Sequence, residues 1–151
     1  MKCLISGIPG TGKTSVGVYL HAEKKYTHID LEDAEVMRNF SQSPEAFIIR
    51  LTGMSDVVVT GGFKDTPWAY AMVTLFVRSG FTFIWFDGNR PAARKAFVQR
   101  NTAHVRLFDE KIFEVDAAHE KIVAFHPRYI NTFNDGGHFK ELERIVSELE
   151  S

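Results

Sequence analysis

A chain of 151 residues, 44% apolar and 25% charged, is one ordinary globular domain, long enough to bury a core and too short for a second. Its 18 basic and 19 acidic residues leave a formal charge of −1, so no net field draws it to nucleic acid or to an anionic membrane, and a small molecule is the expected partner. A single cysteine, Cys3, excludes a disulfide framework, and no apolar run approaches the roughly 18 residues of a membrane span.

The first predicted element is a strand over 2–6, Lys2-Cys3-Leu4-Ile5-Ser6, short and mostly apolar as a central parallel strand should be. It makes Cys3 a buried, inert thiol, consistent with a reducing, cytoplasmic setting. Gly7 to Thr14 follow as G-I-P-G-T-G-K-T, a full match to the pattern GxxxxGK(S/T), and lie so close to Met1 that no signal peptide is expected. Such a loop binds phosphates because backbone N–H groups, freed by its glycines to point inward, wrap the anion at the positive end of the following helix. Lys13 is expected to reach the β and γ phosphates of a nucleotide and the Thr14 hydroxyl to ligate Mg²⁺. The expected phosphate contacts are Gly7, Ile8, Pro9, Gly10, Thr11, Gly12, Lys13, Thr14 and Ser15. A helix over 13–22, carrying Val16, Val18, Tyr19 and Leu20 without proline, completes the strand–loop–helix context.

A second strand over 26–30 ends in Asp30-Leu31-Glu32-Asp33, ahead of helices over 32–40 and 44–52. A carboxylate at that strand end can hold Mg²⁺ through water or take a proton from an attacking hydroxyl, and Asp30 is the first candidate, with Glu32 and Asp33 behind it. The alternative for Asp30 or Asp33 is a helix cap. The third strand, 56–60, runs into Gly61-Gly62-Phe63-Lys64-Asp65, where two glycines either let a ligand approach the backbone or make a tight turn. Phe63, Trp68 and Tyr70 either wall a substrate pocket or join the core. Ser43-Pro44 and Thr66-Pro67 each set a capping hydroxyl before proline at the first helical position, the second opening a helix over 66–79 that Ser79-Gly80 stops.

The fourth strand, 81–86, is followed by Asp87-Gly88-Asn89-Arg90, and its apolar run ending in Asp87 has the form of a metal-binding Walker B strand. Arg90, Arg94 and Arg100 cluster around the helix over 91–101, placed either to neutralise a transferring phosphoryl group or simply in water. A helix over 108–121, a strand over 128–133, the loop Asn134-Asp135-Gly136-Gly137 and a helix over 138–150 complete the chain. The last helix presents Leu142, Ile145, Val146 and Leu149 on one apolar face. Strands alternating with helices specify an α/β domain with a parallel sheet covered on both faces. The six histidines lack ligand spacing, and no zinc site is expected.

With the phosphate loop, Asp30, the Thr60-Gly61-Gly62 turn and the arginine-bearing helix in this order, the chain resembles the small P-loop kinases, the group of shikimate, gluconate and nucleoside monophosphate kinases within the P-loop NTPases. The resemblance runs nearly the full length. It implies a three-layer P-loop NTPase fold with a five-stranded parallel sheet in the order 2-3-1-4-5, a single domain over 1–151 and a lid-like segment at about 90–110. The activity it implies is ATP-dependent, Mg²⁺-assisted transfer of the γ-phosphoryl group to a small-molecule acceptor, by a monomer or homodimer without nucleic-acid or membrane partners. Lys13, Asp30, Arg94 and Arg100 would then be catalytic, Thr14 and Asp30 would serve the metal with Asp87 as the alternative, Gly61, Gly62 and Phe63 would contact the acceptor, and Asn134 to Gly137 would lie near the adenine.

The chain also departs from the group. Gly61 stands where nucleoside monophosphate kinases tend to have Asp, and Phe63 where shikimate kinases continue to a third glycine. Arg50 lies closer to the third strand than the substrate arginine of shikimate kinases, and the lid arginines are six apart rather than a tight pair. These departures favour the second reading, an ATP-binding regulatory or assembly module with slow hydrolysis and no acceptor. A GTPase lacks support, since no (N/T)KxD segment follows a strand.

Overall fold

Three apolar runs, Cys3-Leu4-Ile5, Val57-Val58-Val59 and Phe83-Ile84-Trp85-Phe86, are buried at every residue, as they must be in the middle of a parallel sheet covered on both faces. The computed structural model describes all 151 residues, Met1–Ser151. The chain runs β1 (Lys2–Gly7), α1 (Lys13–Lys24), β2 (Thr27–Asp30), α2 (Ala34–Gln42), α3 (Pro44–Thr52), β3 (Val57–Thr60), α4 (Pro67–Arg78), β4 (Thr82–Asp87), α5 (Arg90–Arg100), α6 (Val105–Ala117), α7 (His119–Val123), β5 (Arg128–Asn131) and α8 (Leu142–Glu150). The five strands are all parallel in the order β2-β3-β1-β4-β5, the order the resemblance implied. No helix is long and apolar enough to cross a membrane.

Alternation along the strands sends side chains into two cores. Cys3, Ile5, Val58, Ile84 and Phe86 pack with Val16 and Leu20 of α1 and Ile145, Val146 and Leu149 of α8. Leu4, Val57, Val59, Phe83 and Trp85 pack on the other face with α2 to α7, where Phe40, Phe47, Phe76 and Phe81 form a chain of edge-on and stacked rings. Such ring pairs each contribute about 0.5–1.5 kcal/mol beyond the area they bury. Burial also pushes the Cys3 thiol up to about 12, so it is inert at neutral pH.

The register determines what meets at the carboxyl edge of the sheet. Ile5 pairs with Thr60, Thr60 with Asp30, and Gly7 with Phe86, so the ends of β2, β3, β1 and β4 open on one rim. The Leu31 N–H donates to the Thr60 carbonyl at 2.8 Å and the Gly61 N–H to the Ile5 carbonyl at 3.1 Å, carrying the pairing one residue past the strands. Ligands in doubly wound sheets bind at such a rim.

Four local readings are corrected by the structure. Ser43 opens α3 without a side-chain capping bond; it closes α2 as well, and its backbone carbonyl holds the Phe47 N–H at 3.0 Å instead. Thr66, by contrast, does cap α4 through the Ala69 N–H at 3.2 Å. The single helix expected over 108–121 is two helices. The first starts earlier, because the His104 ring accepts the Arg106 N–H at 3.1 Å, and the break falls at the buried Ala118, beyond which Ile122 reaches the core. Finally, β5 stops at Asn131 and α8 waits until Leu142. Between them Phe133 and Phe139 form an antiparallel bridge, closed by a turn in which the Asn134 carboxamide accepts the Gly136 and His138 N–H groups at 2.9 and 3.0 Å.

Candidate functional site

The phosphate loop is pressed between two neighbours that only glycine admits. At Gly10, φ is +75° and a Cβ would stand 2.1 Å from the Ala93 carbonyl oxygen of α5; at Gly12, φ is +78° and a Cβ would stand 2.4 Å from Cζ of Phe139. A side chain at either place is strained by its backbone and blocked by its neighbour. The loop is braced from within by the Thr11 hydroxyl, which is wholly buried and donates to the Ile8 carbonyl at 2.8 Å. Ile8 and Thr11 therefore lie behind the loop, whereas Gly7, Pro9, Gly10, Gly12, Lys13, Thr14 and Ser15 line a cavity of about 480 Å³.

Lys13 lies across its own loop, donating to the carbonyls of Ile8 at 2.8 Å and Gly7 at 3.3 Å. Burial pulls its pKa down to about 8; the Glu32 carboxylate opposes that most, Arg100 adds to it, Asp30 opposes it and Lys111 adds to it. One step along α1, the Thr14 hydroxyl donates to Asp30 Oδ2 at 3.3 Å, and Asp30 Oδ1 accepts the Glu32 N–H at 3.0 Å. The helix cap is Asp33, whose carboxylate takes the Glu35 and Val36 N–H groups at 2.9 and 3.0 Å, a contact worth about 1 kcal/mol. That division of labour leaves Asp30 facing the loop.

Asp87 is placed differently. Its carboxylate accepts the Gly88 N–H at 2.8 Å, and it does not line the cavity. The predicted arginines divide in the same way. Arg100 lines the cavity, its guanidinium 5.0 Å from the centre of the Phe97 ring. Arg94 forks onto Asp109 of α6 with bonds of 3.0 and 3.1 Å, outside the cavity, and Arg90 pairs with Asp116 at 2.8 Å.

Gly62 and Phe63 contribute lining to the cavity and Gly61 does not, being buried against Leu31. The Phe63 ring belongs mainly to the core, edge-on to Tyr70 and Trp85, so its side chain is only 3% exposed. Space beside Gly62 is taken up by Glu32, whose Oε1 would be 3.0 Å from a Cβ there. Of the aromatic trio, Tyr70 stacks on Phe125 in the core, while Trp68 lies on the outside of α4.

Sequence reasoning missed three contributors. Lys111 of α6 lines the cavity and donates to the Phe63 carbonyl at 2.9 Å and to Glu114 at 2.7 Å. Glu114 in turn accepts the Asp65 N–H at 2.7 Å; burial would raise its pKa, but the bonds from Lys111 and Asp65 outweigh that and hold it low. In sequence, Lys111 and Glu114 look like a solvated pair on a helix face. Phe139 reaches the cavity from the hairpin after β5, and nothing local in the sequence announces it.

This geometry can do two things chemically. The loop, Lys13 and Thr14 can hold a polyphosphate, with Thr14 and Asp30 offering a hydroxyl and a carboxylate to an oxygen-seeking cation. Glu32, Gly62 and the Lys111 clamp line the same cavity.

Neither a family model nor any curated protein matches the chain by sequence. Solved structures do match it in three dimensions. A shikimate kinase from Bacteroides thetaiotaomicron superposes with a TM-score of 0.66 at 17% identity, over 99% of this chain and 96% of that one. A gluconokinase from Sinorhizobium meliloti 1021 gives 0.55 at 19% identity over 97% and 88%, and a shikimate kinase from Aquifex aeolicus vf5 gives 0.56 at 17% over 99% and 94%. The likeness is one of fold. The chain has the three-layer architecture of the small P-loop kinases along its whole length.

Proposed function

We propose that the protein is an ATP-dependent phosphotransferase that moves the γ-phosphoryl group of ATP to a small hydroxyl- or phosphate-bearing acceptor. The observation that carries this reading is a single cavity lined both by the phosphate loop and by Glu32, Gly62 and Phe63. A nucleotide and a second small molecule can then meet without crossing solvent.

In this reading the loop N–H groups of Gly10 to Thr14 and the Lys13 ammonium take the phosphates, Lys13 exchanging the Ile8 and Gly7 carbonyls for phosphate oxygens. The acceptor oxygen attacks the γ-phosphorus, the bond from that phosphorus to the ADP oxygen breaks, and Glu32 takes the proton the acceptor loses. Charge spreading over the transferred group is met by Lys13 and by Arg100, which sits on the α5 face turned to the loop. Arg94 has no such role unless it leaves Asp109.

The residues fit a magnesium ion of the kind that nucleotides bring with them. No group of three or more His, Cys, Asp or Glu side chains could hold a metal alone, whereas Thr14 and Asp30, 3.3 Å apart, supply the two hard oxygen donors that suffice when phosphates provide others. When bound, Mg²⁺ would neutralise phosphate charge and fix the orientation of the triphosphate.

The test is product analysis. Purified protein with ATP and Mg²⁺ is offered shikimate-like acids, sugar acids and nucleoside monophosphates, with ADP, free phosphate and phosphorylated acceptor followed together. A phosphorylated acceptor supports the reading. Free phosphate alone across the panel supports the second reading, a nucleotide-binding module with slow hydrolysis, which the locked Arg94 and the core-facing Phe63 ring favour.

A further inference from the structure

Helix α4 has the wrong outer face for a solvent-exposed cover. Its sequence, Pro67-Trp68-Ala69-Tyr70-Ala71-Met72-Val73-Thr74-Leu75-Phe76-Val77-Arg78, holds a single charged residue, at its last position. A helix covering one side of a sheet buries one stripe and turns charged and polar residues to water. Here Ala69, Val73 and Phe76 form the buried stripe, and the flank turned towards α2 and α3 offers Trp68, 46% exposed, with Ala71 exposed and Met72 and Leu75 half-buried beside the core. These residues line a groove of about 420 Å³ against α2 and α3, where the Phe40 ring meets Trp68 edge-on at 5.9 Å.

Two charges flank this groove, Glu45 of α3 and Arg78 of α4. Both are exposed, and neither is among the ion pairs of the molecule, although the chain forms nine. The groove between α5 and α6 is different: its two arginines are already paired with its two aspartates.

We infer that the α4 groove is the interface of a homodimer. A two-fold axis midway between Glu45 and Arg78 sets each carboxylate against the guanidinium of the second copy, so the groove's one acid and one base, neither paired within the chain, satisfy each other twice. Between those pairs the apolar surface of Trp68, Met72 and Leu75 meets its own kind, with Ala71 small enough to let the helices approach. Tryptophan and methionine at the centre and opposite charges at the rim are the composition of such interfaces. A membrane would call for several cations around the apolar patch, and this one has Arg78 balanced by Glu45. The inference does not depend on the reaction the protein catalyses.

Sedimentation equilibrium over a wide concentration range tests it. The mass should rise from the 17.1 kDa of one chain towards twice that value, with the emission of Trp68 moving to the blue while Trp85, 2% exposed in the core, stays constant. Glu45→Arg and Arg78→Glu should each weaken self-association by about tenfold or more, while the stability of the dilute monomer falls only by the small cost of a charge set against a helix dipole. The double variant E45R/R78E should recover the dimer, and an equimolar mixture of the two single variants should form the mixed dimer. A wild-type chain that stays monomeric throughout overturns the proposal. So does a dimer indifferent to both reversals, which would use another face, or a monomer whose groove is filled by a different protein.

Discussion

The Thr14 hydroxyl donates to Asp30 across 3.3 Å, joining the first turn of α1 to the carboxyl end of β2. These residues are 16 apart in the chain, and the sheet order brings them together by placing β2 two strands from β1 while the helix crosses back over both. Asp87, on the adjacent strand β4, accepts the Gly88 N–H instead and does not line the cavity.

Asp30→Asn should therefore lower Mg²⁺-dependent turnover by about two to three orders of magnitude with nucleotide binding largely kept, and Asp87→Asn should change turnover little. A coupled ADP-release assay with Mg²⁺ titration reads both. The reverse pattern would assign the metal to β4.

Lys13→Ala should remove activity by several orders of magnitude, because the loop loses its only side-chain cation on the phosphates; a variant with full turnover would sink the kinase reading. The same lysine makes a pH prediction. Its pKa falls from 10.5 in the unfolded chain to about 8 in the folded one, so between those values the unfolded state binds more protons and stability rises with pH. Below about 8 the buried charge is a standing cost to the nucleotide-free protein. Lys13→Met should accordingly raise the Tm by a few degrees at pH 7 and flatten the dependence between pH 8 and 10.5, as differential scanning calorimetry would show. In the active enzyme, kcat/KM should fall as pH rises through about 8, where Lys13 loses its proton.

Lys111→Met should separate acceptor from donor. It frees the Phe63 carbonyl and leaves Glu114 without its cation, costing about 1–3 kcal/mol of stability in urea unfolding. The KM for the acceptor should rise at an unchanged KM for ATP, and an equal rise in both would tie Lys111 to nucleotide binding as well.

Gly12→Ala combines an unfavourable φ with a collision at the Phe139 ring. The backbone part costs about 1–2 kcal/mol and remains in any background. Adding Phe139→Ala removes the collision, so the double variant should be less impaired in nucleotide binding by titration calorimetry than the sum of its two singles. Strict additivity would mean that the ring yields freely.

How much of this was legible beforehand depended on the distance in sequence over which each feature is built. The phosphate loop needs only contiguous residues, and its glycines declare the backbone they require. The three central strands were legible because parallel strands buried on both faces read as unbroken apolar runs, and Thr66-Pro67 announced α4. Ser43-Pro44 announced α3 through its proline alone, since the Ser43 hydroxyl makes no cap. The site roles of Lys111, Glu114 and Phe139 were illegible because the Phe63 carbonyl, the Asp65 N–H and Gly12, which they meet, lie far off in the chain.

The sequence by itself determined that a GxxxxGK(S/T) loop sits on the first strand of a parallel α/β sheet, since local backbone chemistry and periodicity suffice for both. Which side chains share the cavity was decided by tertiary structure, chiefly by the rotation of α5 about its axis. Close contact of the Ala93 carbonyl with Gly10 turns that helix so that Ala93, Ala96, Phe97 and Arg100, at spacings of three, one and three, face the loop. Arg94, one residue past Ala93, is carried about 100° around the helix and meets Asp109 instead.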